Sequence, residues 1–356
     1  MSDQTKESQA ATYAWVGGLI FAIAFTYIIW LLGPLLDRWT LLPDQGATWY
    51  YWKLPERDFL GQFIVWSFYL AHQFSIWGSI YWAQKNLSAL KSRPTSGLTK
   101  YNWAVIFINI IFITLHLVQT HIWFDGLAQD VPIWTSQGSV IVMLSIILVI
   151  ENSRRGIFMG RKMGKPLTAK VIAFFRRNHT YIFAWALVYT FWFHPMSYDP
   201  QLITGFFYMF LLFTQVSLAY TWIHLDKRWI VFLEFFVGLH ALVVAVFNTA
   251  FFGSTDMWPM FLSGFLFMFV FTGMYAFNVK QWVRWAVITG YVAFIIWLYL
   301  PIPFGYGRDL LILFRVEFLW IPLILYALAF VFAGIVYIYI RSKKMAEQDT
   351  QQISVS

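Results

Sequence analysis

The side chains with the most chemistry to offer in this chain are its seven histidines, His72, His116, His121, His179, His194, His224 and His240. A neutral imidazole is the least costly metal ligand to bury, because it carries no charge to desolvate. The 356 residues include no cysteine. That excludes iron–sulfur clusters, thiolate-ligated haem, CxxCH haem attachment, Cys-based zinc sites and disulfides. Any metal would have to be held by His, carboxylate, Met or backbone oxygen. The boxes that mark known histidine chemistries, HxxxH, HxxHH and HExxH, do not occur, nor does a GxSxG nucleophile elbow.

Spacing groups these histidines by helix face, at 100° per residue. His179, Phe183, Ala186, Thr190 and His194 fall within about 80° of arc. Asn109, His116 and Gln119 or Thr120 share a face, as do His72, Ser75 and Ser79, and Ser217, Thr221 and His224. Polar stripes on apolar helices should turn toward one another, because lipid leaves their donors and acceptors unsatisfied. His116 and His121 lie about 140° apart and cannot both address one centre on a single ideal helix. Asp125 follows His121 by four residues, the spacing of a carboxylate that fixes the tautomer of a ligand, although the pair would equally cap a helix end.

These patterns give three expectations. The first is a membrane redox protein binding Fe, Cu or haem b through His116 and His194, with His72, His240 or His121 completing the set. Asp125 and Asn109 would stand behind the ligands, and a quinone or another apolar small molecule would be the partner. The second is a proton-coupled transporter or permease, in which Glu234 titrates and His240 or His72 relays its proton. Glu234 and His240 are roughly 120° apart on their helix and do not share a face. The third is a non-catalytic scaffold among other membrane subunits, its histidines serving as hydrogen-bonding glue between helices at about 0.6 kcal/mol each.

The elements that must position these residues are apolar. Of all residues 60% are hydrophobic, 21% aromatic and only 12% charged, where a soluble domain has about 25% charged; mean hydropathy is +0.61. The composition predicts an all-α, polytopic membrane protein. A bilayer core takes about 20 apolar residues as helix, and windows of that kind occur at 12–36, 61–84, 103–123, 133–152, 180–197, 201–225, 229–252, 257–278, 283–302 and 318–340. These would form one bundle of about ten transmembrane helices over 12–340, between a polar N-terminus (1–11) and a disordered tail (341–356).

Charge sets the expected orientation. With both termini cytoplasmic, the inner segments hold every Lys and Arg except Arg38, Lys53, Arg57, Arg308 and Arg315. The formal net charge of +8 is thus read as a topology signal, not as nucleic-acid binding. Depths follow from the same parse: His72 and His240 near the midplane, His116, His121 and His194 in the outer half, His179 and His224 at the inner interface.

The first apolar stretch is too long for a secretory signal of about 7–15 residues and reads as a retained span. No Arg-rich presequence is visible, which favours a bacterial plasma (inner) membrane. The outer stretch Asp37–Leu60, with Trp39, Trp49, Tyr50, Tyr51 and Trp52, suits an interfacial lid. The basic loop 152–178 contains no acid and should attract anionic lipid at about 1 kcal/mol per charge. Its glycines, Gly156, Gly160 and Gly164, have neither phosphate-loop spacing nor an apolar GxxxG setting.

Overall fold

A computed structural model describes the backbone of residues 3–45, 49–91, 93–252 and 256–353, and the side chains of 9–45, 49–90, 93–247 and 256–343. Lys6, Lys91 and Lys344 of the charge pattern lie outside the described side chains, as do residues 354–356 of the expected tail.

Apart from short 3-10 turns, the elements are α1 (Asp3–Leu32), α2 (Phe59–Asn86), α3 (Lys100–Trp123), α4 (Trp134–Arg155), α5 (Ala169–Phe193), α6 (Pro200–Ser217), α7 (Lys227–Phe252), α8 (Trp258–Phe271), α9 (Gln281–Tyr299), the five-residue α10 (Leu310–Phe314) and α11 (Trp320–Ile353). Their starts are written in the sequence. Asp58 accepts from Leu60 N at the head of α2. Thr99 and Asn102 form a capping box on α3, Asp199 with Pro200 opens α6, and Asp226 accepts from the N–H groups of Arg228 and Trp229 on α7. Each side chain satisfies amide groups that a helix start leaves without partners. The last helix runs on to Ile353, through most of the segment expected as a disordered tail, where Lys, Met, Ala, Glu and Gln are good helix formers.

Among the described residues seven helices are long and apolar enough to cross a membrane, namely α1, α3, α4, α7, α8, α9 and α11. Their outward side chains fit that role. Ile20, Ile23, Phe107, Ile111, Ile335 and Ile338 are each more than half exposed, while Asn102, His116, Thr120 and Ser145 are fully buried. A fold that turns apolar side chains outward and polar ones inward suits a lipid surround. The other three sequence windows coincide with α2, α5 and α6, which are not among the seven.

The fold forms two compact units, Met1–Val140 with Thr180–Trp258 and Ile141–His179 with Pro259–Ser356; the divisions fall inside α4 and α5 and after the first residue of α8. In the first unit α2 packs on α3, while α6 packs on α1, α3 and α7. Its core is aromatic: Phe191, Trp192, Phe193, Phe206 and Phe210 are almost wholly buried. In the second unit Val270, Met274 and Tyr291 form a buried cluster. There Thr272 Oγ1 hydrogen-bonds Ile157 O and exchanges a bond with the Tyr326 hydroxyl. Gly156 and Gly160, at φ +74 and +75, turn the chain after α4 in conformations that other residues seldom adopt.

Candidate functional site

The chemistry gathers in the first unit, on the facing sides of α2, α3 and α6 and at the end of α5. His72 projects from α2 into this region and is fully buried. The Trp192 indole N–H, which can only donate, points at His72 Nδ1 at 3.2 Å. Nδ1 therefore accepts, and Nε2 carries the proton that it donates to Asn109 Oδ1 at 3.0 Å. Asn109 Nδ2 in turn donates to Ser217 Oγ. Phe112 stacks on the imidazole with centroids 4.6 Å apart, and Phe213 lies 5.5 Å away in a near-parallel plane. His72 is thus a neutral ring with both nitrogens hydrogen-bonded and two aromatic rings stacked near it. The arrangement follows from helical spacing: Asn109 and Phe112 are one turn apart on α3, as are Phe213 and Ser217 on α6.

His116, two turns beyond Asn109, has the opposite problem. Its Nε2 lies 2.9 Å from the His194 carbonyl oxygen and its Nδ1 lies 3.0 Å from Gln119 Oε1. The Gln119 amide cannot simply turn over, because its Nε2 donates to the Asp125 carbonyl oxygen, which has nothing to donate. Both ring nitrogens of His116 therefore face acceptors, an environment that only a ring with two N–H groups satisfies. Trp192 lies against the ring in a tilted arrangement, with centroids 4.3 Å apart.

Beyond α3 the chain turns sharply. Phe124 ends the helix at φ 50, and the Asp125 carboxylate turns to Arg57, which bonds both its oxygens at 2.9 Å and also pairs with Asp130. Gly126 N adds a bond to the same carboxylate. Burial raises the Asp125 carboxyl above the ordinary carboxylate range, against the opposing pull of Arg57. Burial likewise lowers Lys53, which donates to Gln129 O. Gln129 bonds Trp52 O and Leu54 N. The aromatic stretch 49–54 is in this way tied to the segment that follows α3.

His194 sits under that stretch. Its ring stacks on Tyr50 at 5.6 Å and meets Trp52 and Phe193 edge to face. Its Nδ1 and the Tyr50 hydroxyl are both buried with no partner among the described residues. Burial pushes the Tyr50 phenol well up from its ordinary value. His240 Nδ1 meets Thr204 Oγ1 at 3.0 Å, and its ring fits against α6 because residue 205 is glycine. His121 places Nδ1 at Leu117 O and Nε2 at Leu32 O, joining α3 to the end of α1. Asp125 is not its partner, because the turn at Phe124 breaks the helical register between them. His179 and His224 face the backbone oxygens of Arg176 and Gln215. Glu234 lies in electrostatic range of Tyr208.

His72 and His116 are within electrostatic range of each other, and His194 is within range of both His116 and His240. The four make a string rather than a cluster. Among the described residues no group of three or more His, Asp or Glu side chains lies close enough to hold one metal ion. Sequence reasoning did not single out Trp192, Arg57 or Gln73. Gln73 is 2% exposed, and neither atom of its amide has a partner among the described residues. Arg57 could have been found, as one of few basic residues in the outer segments.

Fold and site together define a multi-pass membrane protein with a buried polar interior. No protein-family model matches the chain, and no curated protein or solved structure is similar enough to match it.

Proposed function

We propose that the chain is a ten-helix protein of a bacterial plasma membrane, both termini cytoplasmic, that couples proton movement to the passage of a small solute, with His116 as the group that takes up and releases the proton. One observation carries this reading: His116 lies between two oxygens that can only be satisfied by two ring N–H groups. On losing a proton the ring must surrender one bond, and the movable partner is the Gln119 amide. Turning that amide breaks its bond to the Asp125 backbone. Asp125 holds Arg57, and its neighbour Gln129 holds the aromatic stretch 49–54, so the proton state of His116 bears on the cover of the site. His72, held neutral by Trp192 and Asn109, is a positioning residue in this scheme. Glu234 remains an alternative proton carrier.

Two measurements test the proposal. Nitrogen NMR of 15N-histidine-labelled protein, assigned by the signal missing from His116→Gln, should show a doubly protonated ring that gives way to a neutral one as pH rises. Proteoliposomes containing a pH dye should take up protons, and His116→Gln should lower that rate by about a hundredfold or more, the usual order of a lost proton-transfer group. A ring neutral at every pH, or uptake unchanged in His116→Gln, sinks the idea. Undiminished uptake in His116→Gln together with loss in Glu234→Gln would move the role to Glu234.

A second reading, redox chemistry with Fe, Cu or haem b and a quinone-like partner, is favoured by one feature. His194 Nδ1 is buried and without a partner among the described residues, near His116 and His240. The protein purified in mild detergent would then carry stoichiometric Fe or Cu and lose it in His194→Ala. Metal-free protein with full proton uptake would end this reading.

A further inference from the structure

The second unit contains an open groove of about 460 Å³ between the first turns of α5 and the late turns of α11. This is within the roughly 300–1,000 Å³ of small-molecule sites. Helical spacing builds it. Lys170, Phe174 and Arg177 recur at four- and three-residue intervals on α5, so they share one face. Tyr339 and Lys343 do the same on α11. The Phe174 and Tyr339 rings meet at 6.2 Å across the groove, giving an aromatic floor between Lys170, Arg177 and Lys343. No residue described as lining it is acidic. Arg176, next in sequence, turns the other way, to Ile150 O and Ser153 Oγ on α4. Arg177 is thereby placed on a different face from the arginine that holds the helices together.

Three cations around a partly exposed aromatic pair, on the first turns of α5 and where α11 passes from apolar to charged residues, match one chemistry: a phosphate on an apolar stem. We infer that this groove binds the headgroup of an anionic phospholipid, the phosphate between the three basic side chains and the upper acyl chains along Phe174 and Tyr339. This is narrower than general attraction of the basic loop to a charged surface, which would draw equally on Lys162 and Lys165. It rests on no property of the imidazole string.

Delipidated full-length protein, titrated with phosphatidylglycerol or phosphatidylcholine and read by native mass spectrometry, tests it. Phosphatidylglycerol should be retained at one molecule per chain and phosphatidylcholine at least about tenfold more weakly, as the loss of near-surface charge attraction implies. The double variant Lys170→Gln/Arg177→Gln, and separately Lys343→Gln, should lower phosphatidylglycerol binding. The exposed control Lys162→Gln/Lys165→Gln should leave it unchanged, and all three should melt as the parent does. Millimolar inorganic phosphate should not displace the lipid. Equal binding of the two lipids, full binding by the groove variants, an equal loss in the control, or displacement by phosphate alone would each overturn the inference. Since proton uptake is not the readout, its failure and that of the proton-coupled reading are separable.

Discussion

Asn102 uses every hydrogen-bonding group it has. Its Oδ1 accepts from Thr99 N, and its Nδ2 donates to the Ser217 and Ala219 carbonyl oxygens, 2.7 and 2.8 Å away, where α6 ends. One fully buried amide thus starts α3 and closes α6. Replacing it with Ala leaves two buried carbonyls unmet and should cost about 3 kcal/mol, seen as a lower thermal midpoint in detergent. Asn102→Asp should be no better, since a carboxylate would face two acceptors; stability at the parent level in either variant would show that the carbonyls find other partners. This residue was not legible in sequence, where it stands just before an apolar window and reads as a boundary. The face of Asn109, His116, Gln119 and Thr120 was legible, because 100° steps suffice to group them and all four are buried. Their partners were not, because Trp192, His194 O and Ser217 come from helices whose register against α3 no local pattern encodes.

At the scale of elements, the end of α3 decides what the outer residues can do. A spacing of four predicts that Asp125 meets His121 only while the helix continues, and the left-handed Phe124 ends it. Gly126 then passes so close to α5 that a Cβ there would lie 2.6 Å from Phe193 O. Because the obstacle is backbone, Gly126→Ala must shift the segment carrying the His194 carbonyl. It should cost about 1–3 kcal/mol and alter the His116 nitrogen signal. A variant with parent stability and an unchanged spectrum would show that the two segments separate freely. Arg57 makes a related demand. Without it, Asp125 is a buried carboxylate lacking its cation, so Arg57→Gln should cost about 3 kcal/mol at neutral pH. Burial already raises Asp125, and removing Arg57 raises it further. The folded chain then takes up that proton at higher pH than the unfolded chain does, so stability lost at neutral pH is regained as pH falls through the folded value. Melting Arg57→Gln and parent protein at pH 5 and pH 7.5 should show the gap narrowing in acid; a constant gap would mean that Asp125 is not the group exposed by the change.

For the whole molecule, the number of crossings turns on α2, α5 and α6. These three are not among the seven apolar helices because of the polar residues they carry: His72 and Gln73 on α2, Arg176, Arg177, Asn178 and His179 early in α5, and Gln201, Thr214, Gln215 and Ser217 on α6. Of these His72, Gln73, Gln201, Thr214 and Ser217 are buried. A helix surrounded by other helices needs less apolar surface than one facing lipid, so a hydropathy threshold undercounts the inner members of a bundle. The alternatives differ in parity. Seven crossings put the two ends of the chain on opposite sides of the membrane, whereas ten put both on the side of the basic segments. Reporter fusions resolve this. A periplasm-dependent phosphatase should be active after residues 45, 130 and 305, and inactive after residues 95, 160 and 343, with a cytoplasm-dependent fluorescent reporter giving the reverse. An active phosphatase at residue 343 combined with an inactive one at residue 95 would require an odd number of crossings after α2, and the ten-helix topology would fail with it. The groove at Lys170, Arg177 and Lys343 would then face different water layers at its two sides, which its single aromatic floor does not allow.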